Sequence, residues 1–243
     1  MKFVKGSEMI EKNFQQKIRA IVCDADHTLY KLSSQEAYSK MFSFLSQKTG
    51  IKKCVIEITF KEEMRKLLSS TEAKNPEKRK RDNFLKYVLN KLNVELPENE
   101  IRKVIEMFWN EACKTLKPNE CVFEFLEKTR KKGITLGVFT DEFRENLIKK
   151  LNRVFGEWKR YFDFLITPED TGEMKPSEKY YEKILEITRC SSEKILVIGD
   201  SWERDLMLAK QYGMITVLIS EKYEGNPDIY AKSFCELIKA LVW

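Results

Sequence analysis

The chain of 243 residues is poor in the side chains from which zinc sites are built. It has one histidine, His27, and its six cysteines are scattered without a CxxC pair. Structural zinc sites take four ligands, mostly from paired cysteines and histidines, so no zinc site is expected. Most of the cysteines lie in apolar sequence, which predicts reduced thiols in a core and a reducing compartment. They are Cys23, Cys54, Cys113, Cys121, Cys190 and Cys235.

The sequence also lacks an apolar run long enough to span a bilayer, so no transmembrane helix is predicted. Its N-terminal stretch, MKFVKGSEMIEKNFQQK, is charged throughout and has no apolar centre, so we predict no secretory signal there. With 42% hydrophobic and 12% aromatic residues, the chain can bury a large core. We expect a globular, cytoplasmic protein without a membrane partner.

Acidic residues are scarce in one internal segment. Residues 31–117 hold 19 Lys and Arg against 12 Asp and Glu, and the net charge of the chain is +6. A basic surface can attract an anionic ligand or a nucleic acid, but a solvated helical face explains most such surpluses. We interpret the KRKR run, Lys78–Arg81, in this way. No nucleic-acid-binding motif is found, so a nucleic-acid partner is not expected.

Short β-branched runs that end in polar or glycine residues flank this segment. Four of them are almost continuously apolar, as strands buried on both faces of a parallel sheet are. Helical patterns lie between most of them, with ends near Gly133 and Gly213 and a start at Pro176. This alternation predicts an α/β fold with a doubly wound, mostly parallel sheet. The predicted strands are 18–24, 134–141, 163–167, 194–200 and 214–220.

The basic segment has helical periodicity instead. Gly50 is a predicted helix end, and one helix is predicted over 75–93, capped by Asn75. The stretch 52–68 contains β-branched residues but is interpreted as helical. A helical bundle is therefore expected to interrupt the α/β domain after its first strand. The predicted domains are 1–30 together with 118–243, and 31–117.

Polar side chains gather where the predicted strands end. In an open parallel sheet these ends share one edge, where ligands bind. Three carboxylates there would repel one another strongly unless a cation lay among them, and Mg²⁺ prefers such oxygen ligands. We therefore predict a Mg²⁺ site at this edge. The residues are Asp24 and Asp26 after the first strand, Thr140 and Asp141 after the second, Lys175 after the third, and Asp200 and Asp205 after the fourth.

Four short motifs, taken in order, resemble those of the haloacid dehalogenase superfamily. They are DADHT, FTD, KP and GDSWERD, and the family patterns are DxDx[TS], an apolar run ending in Thr or Ser, a Lys, and GDxxxxD. The helical insert after the first motif is similar to the family's cap domain, so the resemblance covers the whole chain. It implies a Rossmann-like core and a Mg²⁺-dependent phosphatase that acts on a small phosphate ester. His27 departs from the family, which commonly has a small residue there, and we assign it no direct role.

The resemblance implies chemical roles for the aspartates. Asp24 would be the nucleophile that becomes an aspartyl-phosphate, and Asp26 would protonate the leaving oxygen and then activate water. Asp24, Asp200 and the backbone carbonyl of Asp26 would bind Mg²⁺. Asp205 would support the metal or its waters from behind these ligands.

The resemblance also implies how the phosphoryl group is held. Thr140, Asp141 and Lys175 would bind its oxygens, and Lys175 would also compensate the charge of the nucleophile. Thr28 would fix the loop of the first motif.

Alternatives to this function stay open. A phosphomutase keeps both aspartates of the first motif, and a non-catalytic phosphate-binding or regulatory protein could keep the fold. Dehalogenases lack an acid two residues beyond the nucleophile, so Asp26 argues against that branch. The basic surplus favours a phospho-acid or another doubly anionic molecule as substrate, while sugar phosphates and 5′-nucleotides also fit. The sequence carries no signal for an oligomeric state.

Overall fold

The computed structural model describes residues 18–241, in which strands and helices alternate along most of the chain. The strands are β1 Ala20–Cys23, β2 Tyr30–Lys31, β3 Lys117–Pro118, β4 Thr135–Phe139, β5 Phe164–Ile166, β6 Ile195–Gly199, β7 Ile215–Ile219 and β8 Ile229–Ala231. The α-helices are Gln35–Thr49, Lys53–Leu68, Pro76–Arg79, Arg81–Lys91, Glu98–Ala112, Val122–Lys131, Arg144–Phe155, Pro168–Thr171, Glu178–Thr188, Met207–Gln211 and Phe234–Ala240. Short 3₁₀ helices lie at Thr71–Lys74, Cys113–Thr115, Trp158–Arg160 and Ser192–Lys194, and a π-helical turn lies at Trp202–Leu206.

Six of the strands form one sheet in the order β5–β4–β1–β6–β7–β8. Every neighbouring pair is parallel, so the carboxyl ends of all six strands lie at the same edge. From β1 the chain adds β4 and β5 on one side, and then β6, β7 and β8 on the other. The strand order therefore reverses around β1, which is the place where such sheets bind ligands. The predicted doubly wound α/β fold is confirmed, and β8 is an additional strand that was not predicted.

The central strands form because their residues are apolar without interruption. Every residue of β1 and β6 is buried, so both faces of these strands are covered. Gly137 of β4 is paired with Phe164 of β5, and a Cβ atom at Gly137 would lie 2.2 Å from the Phe164 ring. A glycine is needed there because the aromatic ring occupies the space of its side chain.

The described chain divides into two compact units. The first holds the sheet and comprises the described residues up to Lys31, residues 117–171, and those from Lys175 onward. Within it, β2 and β3 form a short antiparallel pair. The chain leaves this unit after β2 and returns to it at β3. The second comprises residues 32–116 with residues 172–174.

The second unit is helical and has its own aromatic core. Phe60 packs edge to face against Phe42 and Phe84, with ring centroids 5.4 Å and 5.0 Å away. The β-branched stretch that was interpreted as helical does form a helix, Lys53–Leu68. Its apolar residues Ile56 and Phe60 are buried in this core.

The prediction of one helix over 75–93 is wrong, because the chain breaks at Lys80. Lys80 has an extended ψ of 126°, and separate helices lie before and after it. The KRKR run is therefore not one solvated helical face. Arg81 packs its guanidinium 4.0 Å from the centroid of the Phe108 ring and donates a hydrogen bond to the Tyr38 hydroxyl. Packing on an aromatic face explains why this arginine points inward.

A disulfide joins Cys121 and Cys235. It ties the start of helix Val122–Lys131 to the last described helix of the same unit. Among residues 18–241, Cys23 is the one free cysteine that is buried. The prediction of reduced thiols packed mostly in the core is therefore wrong. The partners are 114 residues apart, so their spacing along the chain carries no sign of the pairing.

Candidate active site

The loop after β1 carries the first two aspartates and turns sharply. The Asp24 backbone N–H donates to Ile198 O, which extends the pairing of β1 with β6 by one residue. His27 has a φ of 67°, in the left-handed region that favours glycine, and its N–H donates to Tyr30 O. A glycine would adopt this φ at no steric cost. The imidazole itself is exposed.

Lys175 is the centre of the site. Its Nζ lies 2.5 Å from Asp24 Oδ1 and 2.7 Å from Asp205 Oδ1, and 4.2 Å from the centroid of the Phe139 ring. The ammonium group is fully buried. Burial alone would lower the pKa of Lys175, but Asp205 and Asp24 outweigh it and hold the pKa above its usual range. Lys175 is therefore a fixed positive charge beside Asp24.

Three carboxylates come together around this lysine. Oxygen atoms of Asp24, Asp200 and Asp205 lie within 4.8 Å of one another, with Asp24 and Asp205 buried and Asp200 half-buried. Burial raises the pKa of Asp24 to about 8, against the opposing charge of Lys175 and with the help of the other two carboxylates. Burial and the nearby Asp205 raise the pKa of Asp200 to about 6. The three carboxylates together can carry more negative charge than Lys175 balances. They form a set of oxygen donors that would suit a divalent cation.

The Asp26 carboxylate is not part of this cluster and contacts a lysine outside the four motifs. Lys150 Nζ lies 2.9 Å and 3.0 Å from the two oxygens of Asp26 and 2.6 Å from Glu142 Oε2. Burial would raise the pKa of Asp26, but Lys150 outweighs it and lowers the pKa. Sequence reasoning missed both Lys150 and Glu142. A signal was present, because Lys150 lies beside Leu147 and Leu151 on the buried face of its helix.

The end of β4 positions Thr140 and Asp141. Thr140 is buried, and its Oγ1 accepts a hydrogen bond from the Glu142 N–H. The Asp141 carboxylate accepts from the Lys175 backbone N–H at 2.6 Å and from Arg204 at 2.6 Å. Both of its oxygens therefore face protein donors, and the carboxylate joins the loops after β4 and β5. The backbone N–H of Asp141 is the group of this residue that can donate to a phosphoryl oxygen, because its carboxylate can only accept.

Asp205 depends on a glycine at the end of β6. Its Oδ2 accepts from the Ser201 N–H at 3.2 Å while Oδ1 faces Lys175. A Cβ atom at Gly199 would lie 2.4 Å from Asp205 Cβ. The absence of a side chain at Gly199 therefore allows the π-helical turn to bring Asp205 over the strand.

Pro176 was predicted to open a helix, but the helix begins two residues later. Ser177 is its N-cap, with a hydroxyl that accepts the N–H of Lys179. The peptide bond between Lys175 and Pro176 is cis. Pro176 thus belongs to the loop that carries Lys175.

Thr28 was predicted to fix the loop of the first motif, and its backbone takes part in doing so. The side chain of Asn119 donates to His27 O at 2.8 Å and to Thr28 O at 2.5 Å. The Asn119 N–H also donates to Leu29 O. The Thr28 hydroxyl is buried without a hydrogen-bond partner in the described part of the chain. Asn119, which sequence reasoning missed, is therefore the side chain that ties this loop to the segment after β3.

Comparisons with known proteins identify the family of this chain. The chain matches the haloacid dehalogenase-like hydrolase family over residues 21–219. It is 28% identical to glyceraldehyde 3-phosphate phosphatase of Methanocaldococcus jannaschii over 216 residues, which cover 87% of this chain and 89% of that protein. It is 30% identical to a putative pyrophosphatase PpaX of Caldanaerobacter subterraneus over 132 residues, which cover 51% of this chain and 59% of the relative.

Solved structures share the fold. A HAD phosphatase from Thermococcus onnurineus matches with a TM-score of 0.68 and 22% identity, over 91% of this chain and 97% of that one. The putative HAD-hydrolase YfnB from Bacillus subtilis, solved bound to magnesium, matches with a TM-score of 0.67 and 18% identity, over 93% and 99%. Within residues 18–241, no helix combines the length and apolar character needed to cross a membrane. With its family match, its fold and its named relatives together, the chain belongs to the haloacid dehalogenase-like hydrolases and is of the phosphatase type.

Proposed function

We propose that this protein is a Mg²⁺-dependent phosphatase that hydrolyses a small phosphomonoester through an aspartyl-phosphate on Asp24. The observation that carries the proposal is the contact between buried Asp24 and buried Lys175 inside a cluster of three carboxylates. A structural ion pair would need one carboxylate for this lysine. Three carboxylates beside one ammonium group leave negative charge that a further cation would balance. The proposed Mg²⁺ ion would supply that positive charge.

The first half of the reaction transfers the phosphoryl group to the protein. An ionised oxygen of Asp24 attacks phosphorus, and the bond from phosphorus to the ester oxygen breaks. The electron pair stays on that oxygen, which takes a proton from the Asp26 carboxyl and leaves as an alcohol. Lys175 stays charged beside the attacking oxygen, and the Thr140 hydroxyl and the Asp141 N–H donate to the phosphoryl oxygens.

The second half releases phosphate. The Asp26 carboxylate takes a proton from water, whose oxygen attacks phosphorus, and the bond from phosphorus to Asp24 breaks. Asp24 regains its carboxylate, and inorganic phosphate leaves. Asp26 thus gives up one proton and takes up one proton in each cycle, and one difficult hydrolysis becomes two easier transfers.

The side chains present fit a Mg²⁺ ion. Asp24 and Asp200 would hold it together with the backbone carbonyl of Asp26, and Asp205 would lie behind them next to Lys175. When bound, Mg²⁺ would favour the ionised form of Asp24 and offset the charge of the phosphoryl oxygens.

The test is release of inorganic phosphate from a panel of phosphate esters with and without Mg²⁺. Asp24→Asn keeps the shape of the side chain and removes the nucleophile, so we expect turnover to fall by about 10³-fold or more. Asp82→Asn, an aspartate of the helical insert, is the control and should keep full activity. Phosphate release by Asp24→Asn at the wild-type rate would overturn the proposal, as would isomerisation of a sugar phosphate without net release.

Small phosphate esters are the substrate class to screen. Glyceraldehyde 3-phosphate belongs first in the panel, because the relative that matches this chain over most of its length is named for it. Pyrophosphate, which is a phosphoanhydride and not an ester, belongs in the panel as well, because shorter matches are named as pyrophosphatases. Phosphoglycolate tests the preference for doubly anionic substrates that the basic insert suggests.

A further inference from the structure

The disulfide between Cys121 and Cys235 lies beside a carboxylate, outside the site described above. An oxygen of Glu120 and the two sulfurs lie within 4.8 Å of one another. Glu120 is exposed and both cysteines are half-buried, so solvent reaches this part of the surface. A disulfide does not need a carboxylate beside it, whereas two thiolates and a carboxylate are ligands of the types that bind Zn²⁺. Reduction of the disulfide would therefore turn this group into a set of metal ligands.

The packing around the disulfide keeps the two cysteines close when the S–S bond is opened. The helix that starts after Cys121 packs on the helix that contains Cys235. Phe125 of the first helix and Phe234 of the second are fully buried, and their ring centroids lie 4.9 Å apart. This apolar contact does not depend on the S–S bond, so the reduced sulfurs stay near each other.

Hydrogen bonds also fix the first turn of the second helix, where Cys235 lies. The Ser233 hydroxyl accepts the Glu236 N–H at 3.4 Å, and the Glu236 carboxylate accepts the Lys232 N–H at 2.9 Å. Such an exchange of hydrogen bonds holds the start of a helix in place. On the other side, Cys121 is the N-cap of a ten-residue helix, and the first N–H groups of a helix favour a thiolate.

We propose that the Cys121–Cys235 pair is a redox-controlled Zn²⁺ site. It is closed as a disulfide under oxidising conditions, and it binds Zn²⁺ through Cys121, Cys235 and Glu120 once a dithiol has reduced it. Water supplies the fourth ligand, and the metal replaces the disulfide as the link between the two helices. The sequence shows no zinc pattern because 114 residues separate the two cysteines. The site does not depend on the proposed function.

Reduction takes place by thiol–disulfide exchange. A thiolate of the dithiol attacks one sulfur of the disulfide, the S–S bond breaks, and the other protein sulfur leaves as a thiolate. The second thiol of the reductant then attacks the reductant sulfur of the mixed disulfide and releases the remaining cysteine. The dithiol loses two electrons and becomes a disulfide, and the protein gains them. The two thiol protons pass to solvent when Zn²⁺ binds both thiolates.

The experiment compares Cd²⁺ binding by the oxidised and the reduced full chain. Cd²⁺ is the probe because it takes thiolate ligands as Zn²⁺ does and its thiolates absorb in the ultraviolet, so the carboxylates around Lys175 contribute no signal. Reduction with dithiothreitol, removed without oxygen before the titration, should produce a thiolate band that saturates at one Cd²⁺ per chain and that Zn²⁺ displaces. The oxidised protein should show no such band.

Variants assign the ligands. Reduced Cys121→Ser should lose the band, and reduced Glu120→Gln should bind Cd²⁺ at least about 10-fold more weakly. Glu124→Gln is the matched control, because Glu124 is a neighbouring acid that pairs with Lys128 on the helix after Cys121. Cys54→Ser, at an exposed free thiol, is the control for sulfur. Both controls should bind Cd²⁺ as tightly as wild type.

Three results would overturn the proposal. They are an unchanged affinity in Glu120→Gln, a full band in Cys121→Ser, and a disulfide that dithiothreitol does not reduce in the folded protein.

Alkylation of the wild-type chain gives the same test without removing a cysteine. In the reduced protein, Zn²⁺ should slow the reaction of iodoacetamide with Cys121 and Cys235 by at least about 10-fold, because the metal occupies both thiolates. The exposed thiol of Cys54 should react at the same rate with and without Zn²⁺. Peptide mass spectrometry measures all three cysteines, and equal alkylation of Cys121 and Cys235 with and without Zn²⁺ would also overturn the proposal.

Discussion

At the residue scale, the charge of Asp24 depends on what surrounds it. Burial and the nearby Asp205 and Asp200 raise its pKa to about 8 in the metal-free site, while Lys175 opposes them. An aspartate in an unfolded chain has a pKa of about 3.9. Between these two values, the folded protein holds a proton that the unfolded chain has released. The metal-free folded state is therefore favoured by acid in this range.

The metal-free protein should accordingly lose stability as the pH is raised from about 5 to about 9. Stability from a raised carboxyl pKa is complete below the unfolded value and is lost as the pH rises through the folded value, and Asp200, with a pKa of about 6, acts in the same direction. Thermal unfolding in EDTA across this range measures the loss. Mg²⁺ should restore stability most at the high end, and Asp24→Asn should weaken the pH dependence. Stability that rises steadily with pH in EDTA would contradict this.

His27 illustrates a residue whose backbone matters more than its side chain. Its φ of 67° costs an L-residue about 1 kcal/mol, and its imidazole is exposed. We predict that His27→Gly keeps kcat within about 2-fold and leaves the free energy of unfolding within about 1 kcal/mol of wild type. Steady-state kinetics and denaturant unfolding check this. A loss of kcat beyond about 10-fold would mean that the imidazole takes part in the chemistry.

Some site residues can be predicted from the sequence immediately around them, and others are revealed only by contacts between distant parts of the chain. Asp24, Asp200 and Asp205 could be predicted because each follows an apolar run, and strand ends in a parallel sheet share an edge. Lys150 and Asn119 contact the first loop from 124 and 91 to 92 residues away, so only the folded chain reveals the partnership. The partners of the Asp141 carboxylate, Lys175 and Arg204, are likewise 34 and 63 residues away.

At the element scale, the end of β6 and the π-helical turn after it fit together closely. A methyl group at Gly199 would overlap Asp205, whose Cβ is 2.4 Å from the position it would take. Since Asp205 must then move away from Lys175, one substitution disturbs both the turn and the site. The close approach of Gly199 and Asp205 depends on how β6 and the π-helical turn pack together, so it cannot be inferred from either residue alone.

We predict that Gly199→Ala lowers phosphate release by at least about 10-fold and destabilises the fold by about 1–3 kcal/mol. Gly133→Ala is the control for stability, because Gly133 has a φ of +69° with open space around it. It should lower the free energy of unfolding by about 1 kcal/mol through backbone strain while kcat is unchanged. Unfolding and kinetics on both variants provide the comparison. Full activity in Gly199→Ala would show that Asp205 tolerates displacement.

The elements differ in how well their sequence predicts them. The strands β1 and β6 are buried on both faces, so all of their residues are apolar or small. Such continuous apolar runs are readily predicted as strands from the sequence. The strand β8 has three residues and too little pattern to identify. The break at Lys80 went unpredicted because the periodicity of 75–93 continues across it, and tertiary packing of Arg81 on Phe108 decides where the next helix begins.

At the scale of the whole molecule, the disulfide between Cys121 and Cys235 closes a long loop. It constrains the unfolded chain more than the folded one, because its ends are 114 residues apart. We predict that Cys235→Ser lowers the free energy of unfolding by about 2–4 kcal/mol while kcat is unchanged. Cys54→Ser, at an exposed free thiol, should have no effect. Chemical denaturation with and without reductant checks this, and equal stabilities would contradict it.

The most direct measurement of the central claim is the location of the phosphoryl group during turnover. Asp26→Asn should slow hydrolysis of the aspartyl-phosphate while 4-nitrophenyl phosphate still transfers its phosphoryl group. Mass spectrometry of the acid-quenched reaction should then find a phosphoryl adduct on the peptide that contains Asp24, and none in Asp24→Asn. Phosphate release by wild type with no adduct on that peptide in the Asp26→Asn reaction, or an adduct on another residue, would contradict the account.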